Sequence, residues 1–195
     1  MSESTTDPSA AHADALERFG RAAALVDGIV ARIRPEQLGD QTPCTEWTVR
    51  DLLTHVVANQ FAFAEWAKAG GGHPDTGAYT LPDDYVAAYR EGAGQVKAAF
   101  AAPGMAGRMY RTPIGEGPGT LLVELLFNDT FLHGWDLARA TGQPTDFPED
   151  LVASSRSALG QAPRVEGGPF GPVQPEPESG TAADRLAAFA GRVAG

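Results

Sequence analysis

Four stretches of this chain carry apolar residues every three or four positions, and segments rich in Gly and Pro separate them. That spacing puts apolar side chains on one face of an α-helix, whereas a half-buried strand needs alternation at every second position. The sequence contains no convincing alternation of that kind, no repeat and no Gly-rich phosphate loop. The pattern therefore predicts an all-α protein: a four-helix bundle with long loops and short extra helices toward the C-terminus.

Capping and breaking residues predict where these helices begin and end. Pro35 ends the first helix, and Thr48 with Asp51 forms a capping box before the second. The fourth helix is predicted over residues 119–141, because Gly142 is suited to the position just past a helix end. Shorter helices are predicted at residues 148–160 and 181–193.

The length of 195 residues fits one domain. We expect residues 1–9 to form a disordered leader and residues 10–195 a single helical-bundle domain. The net charge of −10 disfavours nucleic-acid binding. The single cysteine, Cys44, excludes an intramolecular disulfide and suits a reducing cytosol. Without a signal pattern or an apolar run of about 20 residues, we predict a cytoplasmic protein with no membrane or nucleic-acid partner.

The fourth predicted helix carries two ionisable residues on its apolar face. At about 100° per residue, Asp129 and His133 fall on the inward stripe formed by leucines. Glu124 falls on the opposite side, where we expect it to be solvated. A buried carboxylate without a partner is costly, so Asp129 needs a reason to point inward.

The second helix carries a further candidate, His55, at the edge of its apolar stripe. His55, Asp129 and His133 could supply three ligands to a metal and leave coordination positions open, as catalytic sites do. Two alternatives stay open on the residues alone. Asp129 and His133 could be an ordinary ion pair one turn apart, and His55 could be a core histidine bonded to a backbone carbonyl. Asp51 precedes His55 at the same spacing, but its place in the capping box explains it better.

Several neighbouring residues have two interpretations each. Asp136 lies beside His133 on the helix, where it either accepts a hydrogen bond that orients the imidazole or remains a surface acid. Cys44 is expected to be a small buried residue rather than a reactive thiol. Packing is the expected role of all three tryptophans, Trp47, Trp66 and Trp135. The long loops between helices are predicted to wall a site at one end of the bundle.

Two segments, TPCTEWTVRDLLTHV (residues 42–56) and NDTFLHGWDLARATGQ (residues 128–143), resemble the signature segments of the DinB-like metal-binding helical bundles. Within that superfamily they are most similar to an actinobacterial branch related to the N-terminal domain of mycothiol-dependent maleylpyruvate isomerase. The ending PFGPVQPEPES…DRLAAFAGR resembles the same branch, so the likeness spans nearly the whole chain.

The resemblance implies a four-helix bundle that binds a divalent metal, commonly zinc or nickel. Its ligands are a His in the second helix with an acid and a His one turn apart in the fourth, which match His55, Asp129 and His133. The isomerase has Glu at the carboxylate position, where this chain has the shorter Asp129. That departure predicts either a metal closer to the fourth helix or a bridging water.

The function that the resemblance implies is a metal-dependent transferase or isomerase that uses mycothiol on a small electrophilic substrate. The metal would hold the thiol as a thiolate nucleophile, so no protein side chain is assigned as catalytic or cofactor-binding. One alternative is a metal-dependent hydrolase, with Asp136 or Glu65 as acid or base. The other is a non-catalytic metal-binding sensor or carrier, which complete burial of the ligands would favour. Homodimers are common among such bundles, although the sequence contains no exposed apolar stripe that requires one.

Overall fold

Four long helices form the body of the computed structural model, which describes residues 8–70, 76–112, 114–161 and 171–194. The helices are α1 (Pro8–Val30), α2 (Val49–Ala69), α3 (Tyr85–Phe100) and α4 (Gly119–Ala140). A short 3₁₀ helix (Pro35–Gly39) follows α1, and α5 (Glu149–Gln161) and α6 (Ala182–Phe189) follow α4. The predicted all-α bundle with short extra helices is confirmed. Helix α1 begins inside the predicted leader, whose residues 1–7 lie outside the described residues.

Around the bundle the four long helices follow the order α1, α4, α2, α3, and α3 in turn contacts α1. Helix α1 packs extensively on α4, and α2 packs extensively on α3. Contacts between α2 and α4 and between α1 and α3 join these two pairs. The helix with His55 therefore lies directly beside the helix with Asp129 and His133.

Helix α2 begins at the predicted capping box. Thr48 Oγ1 accepts a hydrogen bond from the Asp51 N–H at 3.3 Å, and the Asp51 carboxylate accepts one from the Thr48 N–H at 3.0 Å. These bonds satisfy two donors that the first turn of a helix leaves free. They fix the start of the helix six residues before His55, and they account for Asp51 without a metal.

Gly134 allows α1 and α4 to approach each other closely. A Cβ atom at this position would lie 2.4 Å from Cγ2 of the buried Val26, which is well inside van der Waals contact. The core between the helices is aliphatic and aromatic, and burial of each large side chain contributes about 1.5–3 kcal/mol. Its largest fully buried members on α1, α2 and α4 include Phe19, Ile29, Leu52, Leu53, Leu122, Leu126, Phe127 and Phe131. Among the residues described, none of the helices has the length and apolar character of a membrane span.

A short β-hairpin before α4 was not expected. Strands β1 (Met109–Thr112) and β2 (Gly115–Pro118) pair antiparallel. Each strand has only four residues, and β2 reads GEGP, with Pro118 as its only apolar side chain, so no alternation could indicate it. Tyr110 of β1 is buried and donates a hydrogen bond to the Ala67 carbonyl at 2.8 Å, which attaches the hairpin to the C-terminal end of α2.

Candidate metal centre

The three ligands predicted from the sequence meet at the contact between α2 and α4. Asp129 Oδ1 lies 3.2 Å from His55 Nε2 and 3.5 Å from His133 Nε2. The candidate ligand atoms of the three side chains all lie within 4.8 Å of one another. The two imidazole rings are nearly perpendicular, at an interplanar angle of 82° and a centroid distance of 4.9 Å.

This spacing fits a small divalent cation. Bonds of about 2.0–2.2 Å from a tetrahedral zinc to nitrogen and oxygen place neighbouring ligand atoms about 3.3 Å apart. The Asp129 carboxylate oxygen has nearly that separation from both imidazole nitrogens. Two imidazoles and one carboxylate also form a donor set that zinc, nickel, iron and manganese all accept. Asp129 therefore reaches the position between the two histidines despite its short side chain.

The cluster is partly open to solvent. The exposed fraction of the side chain is 25% for His55, 24% for Asp129 and 12% for His133. Asp129 contacts a histidine on each helix, which an isolated ion pair within α4 would not require. His55 Nε2 contacts side chains, those of Asp129 and Asn59.

Asn59 lies one turn after His55 on α2 and was not singled out from the sequence. Its Nδ2 atom donates a hydrogen bond to Asp129 Oδ2 at 3.1 Å and lies 3.0 Å from His55 Nε2. Burial alone would raise the pKa of the Asp129 carboxyl, but the interactions with His133 and His55 outweigh it and lower the pKa to about 2. Asp129 is therefore ionised at neutral pH, and Asn59 holds its second oxygen in place.

Asp136 is fully buried beside His133, so the alternative of a surface acid is excluded. Asp136 Oδ2 accepts hydrogen bonds from His133 Nδ1 at 3.0 Å, from the Cys44 thiol at 3.3 Å and from Arg192 Nη2 at 3.0 Å. Arg192 Nε donates to Oδ1 at 3.3 Å. Burial acts to raise the pKa of Asp136, but the hydrogen bond from His133 and the charge of Arg192 lower it.

Cys44 comes from the loop between α1 and α2. Its Sγ atom lies 3.9 Å from His133 Nδ1. Burial and the neighbouring Asp136 carboxylate raise the pKa of the Cys44 thiol to about 12. Since the thiolate is the reactive form of cysteine, this environment suits a hydrogen-bond donor and not a nucleophile. Cys44 is half-buried, whereas the sequence-based expectation was a buried residue.

Trp47, from the same loop, covers the imidazoles of both candidate histidine ligands. Its ring centroid lies 4.7 Å from that of His55 and 5.9 Å from that of His133. The loop before α2 therefore walls the cluster, as expected. The hairpin before α4 does not, because Tyr110 attaches it at the other end of α2. The prediction that all the long loops surround one site is thus wrong for the loop between α3 and α4, which contains the hairpin.

Two acidic residues discussed above, Glu124 and Glu65, lie outside the candidate site. Glu124, which was expected to be solvated, is partly exposed, with a side-chain exposure of 28%, and it pairs with Arg18. Glu65 is 73% exposed and pairs with Lys68 at 2.7 Å. It lies ten residues beyond His55, and at a rise of 1.5 Å per residue this is about 15 Å along the helix.

Comparisons with known proteins give consistent matches. The family model described as the mycothiol maleylpyruvate isomerase N-terminal domain matches residues 19–138, a range that includes His55, Asp129 and His133. Two uncharacterized proteins of Mycobacterium tuberculosis, from strains H37Rv and CDC 1551, are each 38% identical to this chain over 190 residues. These matches cover 95% of this chain and 98% of each relative.

One solved structure has a similar fold. The crystal structure of the mycothiol-dependent maleylpyruvate isomerase superposes with a TM-score of 0.62 at 15% sequence identity. The superposition covers 76% of this chain and 69% of that chain. At this identity the likeness shows a shared fold and nothing finer.

Proposed function

Because the chain belongs to the family of the mycothiol maleylpyruvate isomerase N-terminal domain, we propose that it is a metal-dependent enzyme that uses a small thiol. Its expected reaction is a thiol transfer to a small electrophilic substrate, or an isomerisation of that substrate through a thiol adduct. Mycothiol is the thiol that the family suggests. His55, Asp129 and His133 would hold the divalent metal, for which zinc and nickel are the leading candidates.

The observation that carries this proposal is the arrangement of the three side chains. They converge at a spacing suited to one cation and remain 12–25% exposed, so a small ligand could reach the same cation from solvent. A bound divalent metal would lower the pKa of a coordinated thiol and favour the nucleophilic thiolate. The non-catalytic alternative would be favoured by complete burial of the ligands, and they are not completely buried.

The residues of the chain prepare the site for such a ligand. Asp136 accepts from His133 Nδ1, so that Nε2 is the nitrogen that faces Asp129. Asn59 donates to Asp129 Oδ2 and leaves Oδ1 for the cation. Cys44 does not compete as a nucleophile because the pKa of its thiol is about 12. In this proposal the bound thiol supplies the nucleophile.

The hydrolase alternative lacks a suitable acid or base among the two residues first considered. The Asp136 carboxylate already accepts hydrogen bonds from Cys44, His133 and Arg192. Glu65 is engaged with Lys68 on another part of α2. A general base must reach the proton that it removes, directly or through one water, and neither side chain is placed to do so.

Metal content tests the proposed site. We expect about one equivalent of zinc or nickel in the purified protein by elemental analysis, and loss of most of it in His133→Ala and Asp129→Asn. Asp150→Asn is a matched control, because Asp150 is an exposed acid paired with Arg21 away from the cluster. Equal metal content in all four proteins would contradict the assignment of the ligands.

A thiol-dependence assay tests the proposed reaction. Metal-loaded protein should consume mycothiol or isomerise maleylpyruvate, measured over a panel of small electrophiles, and chelator treatment should abolish the activity. The His133→Ala variant should be inactive, whereas Asp150→Asn should match the wild type. Turnover of esters or amides without thiol would favour the hydrolase instead.

A thiol-using reaction needs a supply of reduced thiol, which a reducing compartment provides. We therefore propose a cytoplasmic location, with a small thiol and a small electrophile as the partners. Cell fractionation with an antibody against the chain tests the location, and recovery in a culture supernatant would contradict it.

A further inference from the structure

Arg192 lies just past α6, and its backbone is held by a defined helix end. Gly191 has a φ of 95°, a left-handed conformation that L side chains rarely adopt. The Gly191 N–H bonds to the Ala188 carbonyl at 3.0 Å, and the Arg192 N–H bonds to the Ala187 carbonyl at 2.9 Å. This pair of bonds is a Schellman motif. It turns the chain so that Arg192 returns toward α4.

Helix α6 is itself attached to the part of α4 that carries Asp136. Trp135 Nε1 donates a hydrogen bond to Asp184 Oδ1 at 2.8 Å, and Thr145 donates to the same oxygen at 2.9 Å. Trp135 immediately precedes Asp136 in the chain. The helix that presents Arg192 and the residue that receives it are therefore fixed to each other.

The guanidinium of Arg192 donates two hydrogen bonds to the buried Asp136 carboxylate. Nε donates to Oδ1 at 3.3 Å and Nη2 donates to Oδ2 at 3.0 Å, while Nη1 bonds to the Ala190 carbonyl at 3.1 Å. The Arg192 side chain is 10% exposed and that of Asp136 is fully buried. Two-point contact of this kind fixes the orientation of a carboxylate as well as neutralising its charge.

The oriented carboxylate in turn fixes the orientation and the tautomer of the His133 imidazole. Asp136 Oδ2 lies 3.0 Å from His133 Nδ1, so the proton is held on that nitrogen. In the neutral imidazole this leaves Nε2 without a proton, and Nε2 lies 3.5 Å from Asp129 Oδ1, on the side of the candidate metal centre. A buried carboxylate that lost its arginine would be left with an uncompensated charge and would have to move or change its partners.

We propose that Arg192 is a positioning residue for the metal centre, acting through Asp136 on the tautomer and orientation of His133. This inference rests on the proposed function in one respect, the assignment of the cluster of His55, Asp129 and His133 as a metal centre. The family match ends at residue 138, so Arg192 adds a contribution from beyond the matched segment. Arg192 has little freedom to bind substrate directly, because three of its nitrogen atoms already donate within the protein.

The same contact bears on a second cluster of possible ligands, formed by Cys44, His133 and Asp136. Arg192 already supplies the positive charge next to that carboxylate. A divalent cation there would be repelled by the guanidinium. The proposed cation position is therefore the Asp129 side of His133.

The test compares Arg192→Gln with Arg192→Lys and with a matched control. Arg185→Gln removes the same charge from α6, where Arg185 is exposed and bonds to the Gly180 carbonyl at 3.0 Å. Nitrogen-15 NMR of the imidazoles in metal-free protein reports which nitrogen of His133 carries the proton. Competition with a chromophoric chelator reports the zinc affinity, and circular dichroism reports folding.

At a pH where the imidazoles are neutral, we expect the His133 proton on Nδ1 only in the wild type and in Arg185→Gln. In Arg192→Gln we expect a mixture of tautomers and a zinc affinity about 10- to 100-fold weaker, the range typical of lost outer hydrogen bonds at metal sites. Arg192→Lys keeps the charge but not the two-point contact, so it should recover part of the affinity.

An unchanged tautomer and an unchanged affinity in folded Arg192→Gln would overturn the proposal. Failure of both Arg192 variants to fold would overturn it too, in favour of a purely structural role. If the wild type bound neither zinc nor nickel, the proposed function would fail, while the comparison of tautomers in metal-free protein would still decide the role of Arg192.

Discussion

Asp136 shows how far helical periodicity carries a prediction at the scale of single residues. Its place beside His133 follows from their spacing of three residues on one helix. Its other two partners, Cys44 and Arg192, are 92 and 56 residues away along the chain. A single sequence gives no signal for such distant contacts, and Arg192 accordingly was not among the predicted site residues.

Cys44 should react slowly with thiol reagents in the metal-free, folded protein. Because burial and Asp136 raise the pKa of its thiol to about 12, the thiolate fraction near pH 8 is on the order of 1000-fold lower than for an unperturbed cysteine. Alkylation by iodoacetamide, followed by mass spectrometry, measures the rate. The same protein in denaturant is the control, and equal rates in both states would contradict the prediction.

Trp47 should report metal binding through its fluorescence. Its ring packs against both candidate imidazole ligands, whereas Trp66 and Trp135 are only 4% and 2% exposed within the core. Binding of Ni²⁺ or Co²⁺ should quench part of the emission, and Trp47→Phe should remove that part. Quenching that persists in Trp47→Phe would place the bound ion near another tryptophan.

At the scale of elements, the sequence predicted those parts whose signals are local. The box at Thr48 and Asp51 predicted the start of α2, and Gly142, with a φ of 68°, follows the end of α4. The hairpin at residues 109–118 was missed because its stability comes from contacts with α2 and α4, not from its own pattern. The ion pair of Glu124 was missed for a related reason, since its partner Arg18 belongs to another helix.

The α1–α4 contact should be sensitive to one methyl group at Gly134. Gly134→Ala places a Cβ 2.4 Å from Val26 Cγ2, and overpacking of this kind lowers the free energy of unfolding by about 1–3 kcal/mol. Urea denaturation measures the change. Gly94→Ala on α3 is the matched control, since a Cβ there meets nothing within 4 Å and should stabilise the helix by about 0.5–1 kcal/mol.

A second substitution, at Val26, tests whether the loss of stability in Gly134→Ala comes from the contact with Val26. Val26→Ala removes the methyl group that clashes, so the double variant should lose less stability than the sum of the two single changes. Additive losses, or a Gly134→Ala variant as stable as Gly94→Ala, would mean that the two helices do not depend on this close approach.

At the scale of the whole molecule, a bound metal should stabilise the fold, because its ligands come from both α2 and α4. A ligand at 100 times its dissociation constant adds about 2.7 kcal/mol to the free energy of unfolding. For a chain of this size that corresponds to a rise in Tm of roughly 5–10 °C. Calorimetry with and without zinc measures it. His133→Ala should show no rise, and an equal rise in that variant would mean that zinc binds elsewhere.

The position of the cluster on the seam between the two helix pairs has a consequence for folding. Neither the α1–α4 pair nor the α2–α3 pair holds His55, Asp129 and His133 together, and His55 and Asp129 are separated by 74 residues in the chain. Contacts of such separation form only after the intervening chain has closed into a loop. If the cluster binds a cation, binding would therefore be a late step in folding, and the cation would stabilise helix pairs that have already docked instead of nucleating their association.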